Sequence, residues 1–432
     1  MRQTRLSLLI CMLVLCAASS CARRPAPSQP SSEVPTSNLA TPGQVESSEA
    51  QNATRAPESA RATFTPYPVD PSLTTPGTGP VATSSQATQA PLDPNINPLT
   101  GQPAKDPALL ERRPLVIKIS NYPREIRPQY GLNETDVVFE YYIEWLDSRF
   151  IGIFYGSDAS QIGPVRSGRY FDEHILRMYH AFYVFNYADP REYAYFLGGD
   201  LQKWLVVPGY GNCPPFFQYR VSQTITDVLH YETYFDSTRF SSCPSVQSAD
   251  NTRQALRSGF FSSTPPSGGA DVGRIFTHYS RCDYNYWKYD PASMHYLRFQ
   301  EISPNQAPQH IDDCSDTPER YAPLTDALVN QQVSADNIVV IFVSHTFANA
   351  GEQQDEIYHI NLVDSGKAFV FRDGQGLPAR WMRTDIDQPL LITTTQGVPL
   401  YLEPGRTFFE VIGETSTVWS DGSDWHFDFQ TP

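Results

Sequence analysis

The stretch Pro114-Leu115-Val116-Ile117-Lys118-Ile119-Ser120-Asn121 sets how the rest of the chain is read. Its apolar run is rich in β-branched side chains, which are stiff at χ1 and pack well on a pleated sheet, so it predicts a buried strand. Val137-Val138-Phe139-Glu140-Tyr141-Tyr142-Ile143-Glu144 predicts a second. Arg149 to Tyr155 predicts a third, with Phe150, Gly152 and Phe154 alternating against Ile151, Ile153 and Tyr155. Past the turn Ile162-Gly163-Pro164-Val165 the period changes: between Arg169 and Ala181, Tyr170, Ile175 and Met178, with Phe182 beyond, share a face at helical spacing. Ala181 to Tyr187 is strand-like again. Asp189-Pro190 then opens a short helix, with Asp189 as N-cap and Pro190 in the first helical position. Three strands, a helix, a strand and a helix predict a mixed sheet with helices.

Outward from this core, Asn97-Pro98-Leu99-Thr100-Gly101 is turn chemistry that marks where the folded region begins. Residues 200–270 predict loops and a helix around Asp250 to Ser258, and Thr264-Pro265-Pro266-Ser267-Gly268-Gly269 predicts a junction. Beyond residue 275 short strands recur: Tyr296 to Phe299, Asn337 to Val343, Ile357 to Val363, Lys367 to Arg372, Pro389 to Thr395 and Thr407 to Val411. Asp373-Gly374 reads as a hairpin turn. The expected fold class is α+β. A mixed α/β domain over residues 93–270 precedes a β-rich C-terminal domain over 271–432, built as a sandwich or small barrel-like sheet.

The first 92 residues are of another kind. Arg2 and Arg5 precede an apolar run from Leu6 to Ala17, too short to span a bilayer and suited to a cleaved signal over 1–20. Ala18-Ser19-Ser20-Cys21 resembles a lipobox, which implies cleavage after Ser20 and lipidation of Cys21; an ordinary signal cut at the same place is the alternative. Multiple acyl chains on Cys21 would hold the protein on the extracytoplasmic face of a bacterial membrane. Residues 21–92 are rich in Pro, Ser, Thr, Ala and Gln. They cannot bury enough apolar surface to offset their ordering entropy, and read as a disordered tether.

The chain carries a net charge of −15 over 432 residues. Residues 1–21 carry +2 and residues 22–92 carry −1, leaving −16 for the rest. A nucleic-acid partner needs a basic face, so none is expected. Four cysteines follow the tether: Cys213, Cys243, Cys282 and Cys314. An even number in an exported chain suggests two disulfides with three possible connectivities. Loop closure favours Cys213–Cys243 with Cys282–Cys314, and buried free thiols are the alternative. No His-x-x-x-His or His-Glu-x-x-His spacing, Gly-x-Ser-x-Gly, phosphate loop or dinucleotide fingerprint is present, so neither metal nor cofactor is expected.

The densest polar set is Arg127, Glu140, Glu144, Arg149, Arg166 and Arg169. Arg149 and Arg166 flank a Gly-Pro turn and could converge on a phosphate, a sugar acid or a peptide carboxylate. The competing explanation is an internal Arg–Glu network that locks the sheet to its turn. On one strand Glu140 and Glu144 would lie about 13 Å apart by strand rise, wider than a glycosidase pair at about 5 to 9.5 Å. His310 and Asp312 could be a base and its orienter, or part of a loop pinned by a disulfide. Aromatic clusters such as Tyr284-Tyr286-Trp287-Tyr289 suit sugar rings or partner proteins, and equally suit cross-strand pairs.

The opening stretch, Arg127-Pro128-Gln129-Tyr130-Gly131-Leu132, Thr135-Asp136-Val137-Val138-Phe139-Glu140, Ser148-Arg149-Phe150 and Gly163-Pro164-Val165-Arg166-Ser167-Gly168-Arg169 together resemble the YerB-like lipoproteins. The resemblance covers residues 95 to 190 and continues more faintly through Tyr289-Asp290-Pro291, Tyr296 to Phe299, His310 to Asp312 and Leu402 to Val411. It implies an envelope address and a β-rich C-terminal domain, and no activity. The function expected is therefore a membrane-anchored binding or accessory module for a cell-wall polymer or envelope protein. The alternative is a hydrolase or transferase acting on envelope glycan or peptide polymers through Glu140, Glu144, His310 or Asp312.

Overall fold

The opening apolar run becomes β1 (Leu115–Ser120), with β2 (Val137–Tyr142) and β3 (Ser148–Phe154) beside it; all three are buried along their whole length in the computed structural model. Burial on both faces is what continuous apolar runs require. β2 and β3 form an antiparallel hairpin, and β1 pairs antiparallel with the other edge of β3. β4 (Phe182–Val184) and β5 (Leu205–Val206) add in parallel beyond β1. The structure describes residues 93–208, 213–219, 231–256, 260–302, 319–349 and 356–432. The expected signal and tether with Cys21 lie outside these residues, as do His310, Asp312 and Cys314.

The later strands are β6 (Arg274–His278), β7 (Tyr284–Asp290), β8 (His295–Glu301), β9 (Asn337–Phe347), β10 (Asp364–Arg372), β11 (Gln375–Arg383), β12 (Leu391–Thr394), β13 (Thr407–Gly413), β14 (Thr417–Asp421) and β15 (Asp424–Asp428). They do not close into a separate sandwich, as expected of them. β13 lies parallel to β2 on one side and to β9 on the other. One 12-stranded sheet therefore runs through both halves of the chain in the order β12-β11-β10-β9-β13-β2-β3-β1-β4-β5, with two short strands off this path. The 270/271 boundary is a boundary along the chain and not a break in this sheet. β10 and β11 join through Asp373 and Gly374, both at positive φ (52° and 73°), the turn expected for that pair.

A 7-stranded sheet built on β8-β7-β6-β15-β14 covers one face of the large sheet. Trp287 packs on Phe408 (ring centroids 4.7 Å), Phe427 on Phe369 (5.4 Å) and Trp425 on Phe371 (5.7 Å). The other face carries α1 (Asp172–Met178), with Ile175, Leu176 and Met178 buried against it. α1 is shorter than the spacing predicted because His180 turns left-handed (φ 48°). α2 (Pro190–Gly198) opens on Asp189, whose carboxylate accepts the Arg191 N–H at 2.9 Å, as expected of that N-cap. No helix forms over the described part of Asp250 to Ser258. Asp250 accepts from the Thr252 N–H (3.1 Å) and hydroxyl (2.7 Å), and that local turn displaces the helix. Among the described residues strand accounts for 42% against 14% for helix, so the fold is mostly β rather than an even mixture.

Candidate functional site

Strand register sorts the candidate residues by face. Arg149 stands opposite Ser120 on β1 and Tyr141 on β2, so these three point toward α1. Glu140 stands opposite Phe150 and points the other way, into the gap between the sheets. There Arg298 lies between two carboxylates, Nη2 at 2.7 Å from Glu140 and Nη1 at 3.1 Å from Glu410. None of the three has any exposed surface. Trp287 Nε1 donates to Glu410 at 2.7 Å, the Tyr279 hydroxyl donates to it at 2.9 Å, and the Ser148 hydroxyl donates to Glu140 at 2.6 Å. Burial raises the Glu140 carboxyl well above its usual range; Arg298 opposes that shift, and Glu410 and Asp283 add to it. Glu140 is thus an internal network residue, away from any mouth.

Arg127, expected among the ligand-binding arginines, is internal too. Its Nη2 lies 2.5 Å from Glu301 on β8 and its Nε donates to the Asn121 carbonyl at 3.0 Å, tying its loop to the small sheet. Burial pushes the Glu301 carboxyl up to about 7 against the pull of Arg127.

The other arginines converge. Glu144, Arg149, Arg166, Ser167 and Arg169 line a single cleft of about 310 Å³, together with Trp145, Tyr187, Asp189, Pro190, Glu192 and Ile357. Three local structures build it. The β2–β3 turn lifts Glu144 and Trp145, with Trp145 and Leu146 at φ 54° and 73°. The segment after Gly163-Pro164 is stitched to β1, with Arg166 N donating to Lys118 O at 2.9 Å. The first turn of α1 fixes Arg169, whose N–H donates to Asp172 at 2.7 Å. Within the cleft Arg169 grips Glu144 (Nε to Oε2 2.7 Å, and Nη2 to Oε1), with Glu192 3.5 Å from Nη1. Arg149 donates to the Ser167 carbonyl at 2.9 Å, and its Nη2 stands 3.9 Å from Glu144. The Arg166 guanidinium lies 4.3 Å above the Tyr231 ring. Donors and acceptors thus share one end of the sheet.

Under the cleft floor is a cluster the sequence reading passed over. Lys118 Nζ reaches Asp172 at 2.9 Å, and the Tyr141 and Tyr183 hydroxyls also donate to that carboxylate. Lys118 and Asp172 are fully buried. Burial pushes the Lys118 amine down to about 7; Asp172 opposes the shift, and Arg149 and Arg169 assist it. A lone lysine inside an apolar strand was the signal that could have found it.

The aromatic clusters resolve into sheet pairs. Trp419 stacks on His426 (3.8 Å, 2°), His426 on Phe276 (4.6 Å, 2°) and Tyr286 on Phe299 (4.7 Å, 10°), with Tyr286 5.1 Å from Phe276. Rings that turn their faces to each other form a cross-strand ladder and leave edges for solvent. Cys213 and Cys243 form the expected disulfide, closing 30 residues with Cα atoms 4.4 Å apart. Cys282 is disulfide-bonded as well. Among the described residues there is no cluster of three or more His, Cys, Asp or Glu fit to hold a metal, and no helix long and apolar enough to cross a membrane.

Comparison with known proteins bears on the fold and the address. Two profiles of one family match: the N-terminal domain of a protein of unknown function (DUF3048) over residues 99–225, and its C-terminal domain over 275–409. YerB of Bacillus subtilis (strain 168), named as a lipoprotein, is 22% identical over 323 residues, covering 73% of this chain and 85% of YerB. The crystal structure of Bacillus subtilis YerB superposes with a TM-score of 0.58 at 20% identity, covering 73% of this chain and 96% of that one. At such identity the structural likeness establishes the fold alone. The chain carries both domains in order and on the fold of its relative, and it belongs to the YerB-like lipoprotein family, whose domains are of unknown function.

Proposed function

We propose that this chain is a lipid-anchored, extracytoplasmic binding module of the cell envelope, holding an acidic group of a wall polymer or envelope partner in the cleft of Arg149, Arg166 and Arg169. The observation that carries this reading is their convergence, with Glu144, on one open cleft at the end of a rigid sheet. The anchor is Cys21, and the tether over 22–92 gives the module reach. Arg149 and Arg166 supply planar donor forks suited to a carboxylate or phosphate. The hydrolase alternative needs a second carboxylate or a histidine working with the first. Of its four candidates, Glu144 alone lines the cleft among the described residues, and the carboxylates there are engaged by arginines, Glu144 and Glu192 by Arg169 and Asp189 by Arg191.

The test is co-sedimentation of residues 85–432, which form one compact unit, with purified cell-wall fragments. Wild type should be retained, and Arg149→Ala/Arg166→Ala should lose most of that retention with an unchanged circular dichroism spectrum. Equal retention of both proteins, or release of wall fragments into solution, would sink the proposal. For the anchor, Cys21→Ser should move the full-length chain out of the membrane fraction.

A further inference from the structure

We propose that the ligand of this cleft is an acidic saccharide: a pyranose ring bearing one carboxylate, its C–H face laid on Trp145 or Tyr187 and its carboxylate directed to Arg149 and Arg166. This rests on the cleft reading above and narrows it to one ligand class.

The first support is the pair of aromatic side chains that the cleft keeps in solvent. Trp145 and Tyr187 both line it, yet they are 66% and 52% exposed. Both sit in the left-handed backbone region, at φ 54° and 71°, where a bulky L-residue is strained and glycine is not. The surroundings enforce it: Trp145 N–H donates to the Glu356 carboxylate at 2.6 Å, and the Tyr187 carbonyl accepts the Gly168 N–H at 2.9 Å. Large rings held strained and exposed at a cleft gain nothing for the core. Strain of this kind is stored where a site uses it. An aromatic face offers dispersion contact to the C–H face of a sugar.

The second support is charge. The three guanidiniums are matched by three carboxylates lining the same cleft, Glu144, Asp189 and Glu192. A polyanion such as a phosphate chain would meet as many carboxylates as cations. A sugar acid uses both kinds of group: its single carboxylate takes a guanidinium fork, and its hydroxyls donate to carboxylates and accept from arginines. The cavity, at about 310 Å³, is at the small end of ligand sites and admits a short piece of polymer rather than a folded partner.

The experiment is calorimetric titration of the full-length chain with the disaccharide of N-acetylglucosamine and N-acetylmuramic acid. Its methyl ester, a wall stem tetrapeptide and inorganic phosphate are run alongside. The variants are Trp145→Gly, Tyr187→Gly, Tyr187→Asn and Arg149→Ala/Arg166→Ala. Glycine and asparagine tolerate the left-handed backbone, so the ring variants should keep or raise the melting temperature. Removing the ring on which the sugar lies, Trp145 or Tyr187, is expected to weaken disaccharide binding by about tenfold, and the methyl ester should bind at least about tenfold more weakly than the acid. Tighter binding of the tetrapeptide or phosphate than of the disaccharide overturns the saccharide assignment. Loss of binding in the arginine variant with full binding in the ring variants overturns ring stacking and leaves the cleft reading standing. Full binding in every variant, or no binding of any probe, overturns both.

Discussion

The guanidinium of Arg169 closes on the carboxylate of Glu144 with two hydrogen bonds, one of them 2.7 Å from Nε to Oε2, in a cleft that Arg149, Arg166, Trp145 and Tyr187 also line. Glu144 is the acidic partner that the β2–β3 turn delivers to the arginines. An arriving anion would compete with it for their donors.

Glu144→Gln should therefore strengthen retention on acidic wall fragments, because the cleft gains a net positive charge. The lost ion pair is only partly shielded, with side chains 14% and 12% exposed, so the stability cost should be about 1 kcal/mol. Sedimentation binding and urea denaturation read the two effects separately. Weaker retention by a folded Glu144→Gln protein would show that the carboxylate itself holds the ligand.

Between the sheets, Arg298→Met should cost about 3–5 kcal/mol, since it leaves Glu140 and Glu410 buried beside each other without their cation. Adding Glu140→Gln and Glu410→Gln should recover most of that loss. At position 140 Gln keeps an acceptor for Ser148 and Asn121; at 410 its carbonyl accepts from Trp287 and its amide N–H can donate to the Tyr279 hydroxyl, with both charges removed. Denaturant midpoints of the single and triple variants check this; a triple variant no more stable than Arg298→Met would contradict it.

Lys118 links stability to pH. Its folded pKa is pushed down to about 7 from 10.5, so between those values the unfolded chain binds a proton that the folded chain does not. Unfolding free energy from this group therefore rises as pH climbs from about 7 toward 10, and the cost of charging the buried amine is fully present below about 7. Lys118→Met should lack this slope, so the wild type gains a few kcal/mol relative to the variant between pH 6.5 and 9.5. Parallel stability curves for the two proteins would show that the amine stays protonated throughout.

The Cys213–Cys243 bridge closes a loop of 30 residues, which in the chain-entropy account is worth about 3–4 kcal/mol. Cys213→Ala/Cys243→Ala should lower the melting temperature by several degrees, and reductant should do the same to wild type. An unchanged melting temperature would mean that the loop's own packing, including Phe216 on Phe235 at 4.9 Å, holds this region without the bridge.

Strands were the most legible part of this chain, because apolar β-branched runs such as Leu115–Ile119 and Thr407–Val411 can do little else in water. Pairing partners were not legible. That β13 inserts beside β2, some 270 residues earlier in the chain, depends on long-range register that no local pattern carries. The arginine cluster could be seen in the spacing of Arg149, Arg166 and Arg169, while Arg127 was misplaced because a loop residue's direction is set by what packs on it. Period-2 geometry does fix that Glu140 and Arg149 face opposite ways, but only once the hairpin register is known. Trp145 and Tyr187 escaped notice because exposure and positive φ are properties of the folded backbone. The expected helix near Asp250 failed to a local rule, the pull of an Asp side chain on the backbone two residues on.

The most direct test of the cleft as the binding site is the indole N–H signal of Trp145 in a nitrogen–proton correlation spectrum, assigned with Trp145→Phe and followed as soluble wall fragments are added. The account predicts a saturable shift of that signal, with the other indole signals nearly still, and its disappearance in Arg149→Ala/Arg166→Ala. Saturable binding that moves other indoles while Trp145 stays unmoved would place the ligand elsewhere and contradict the account.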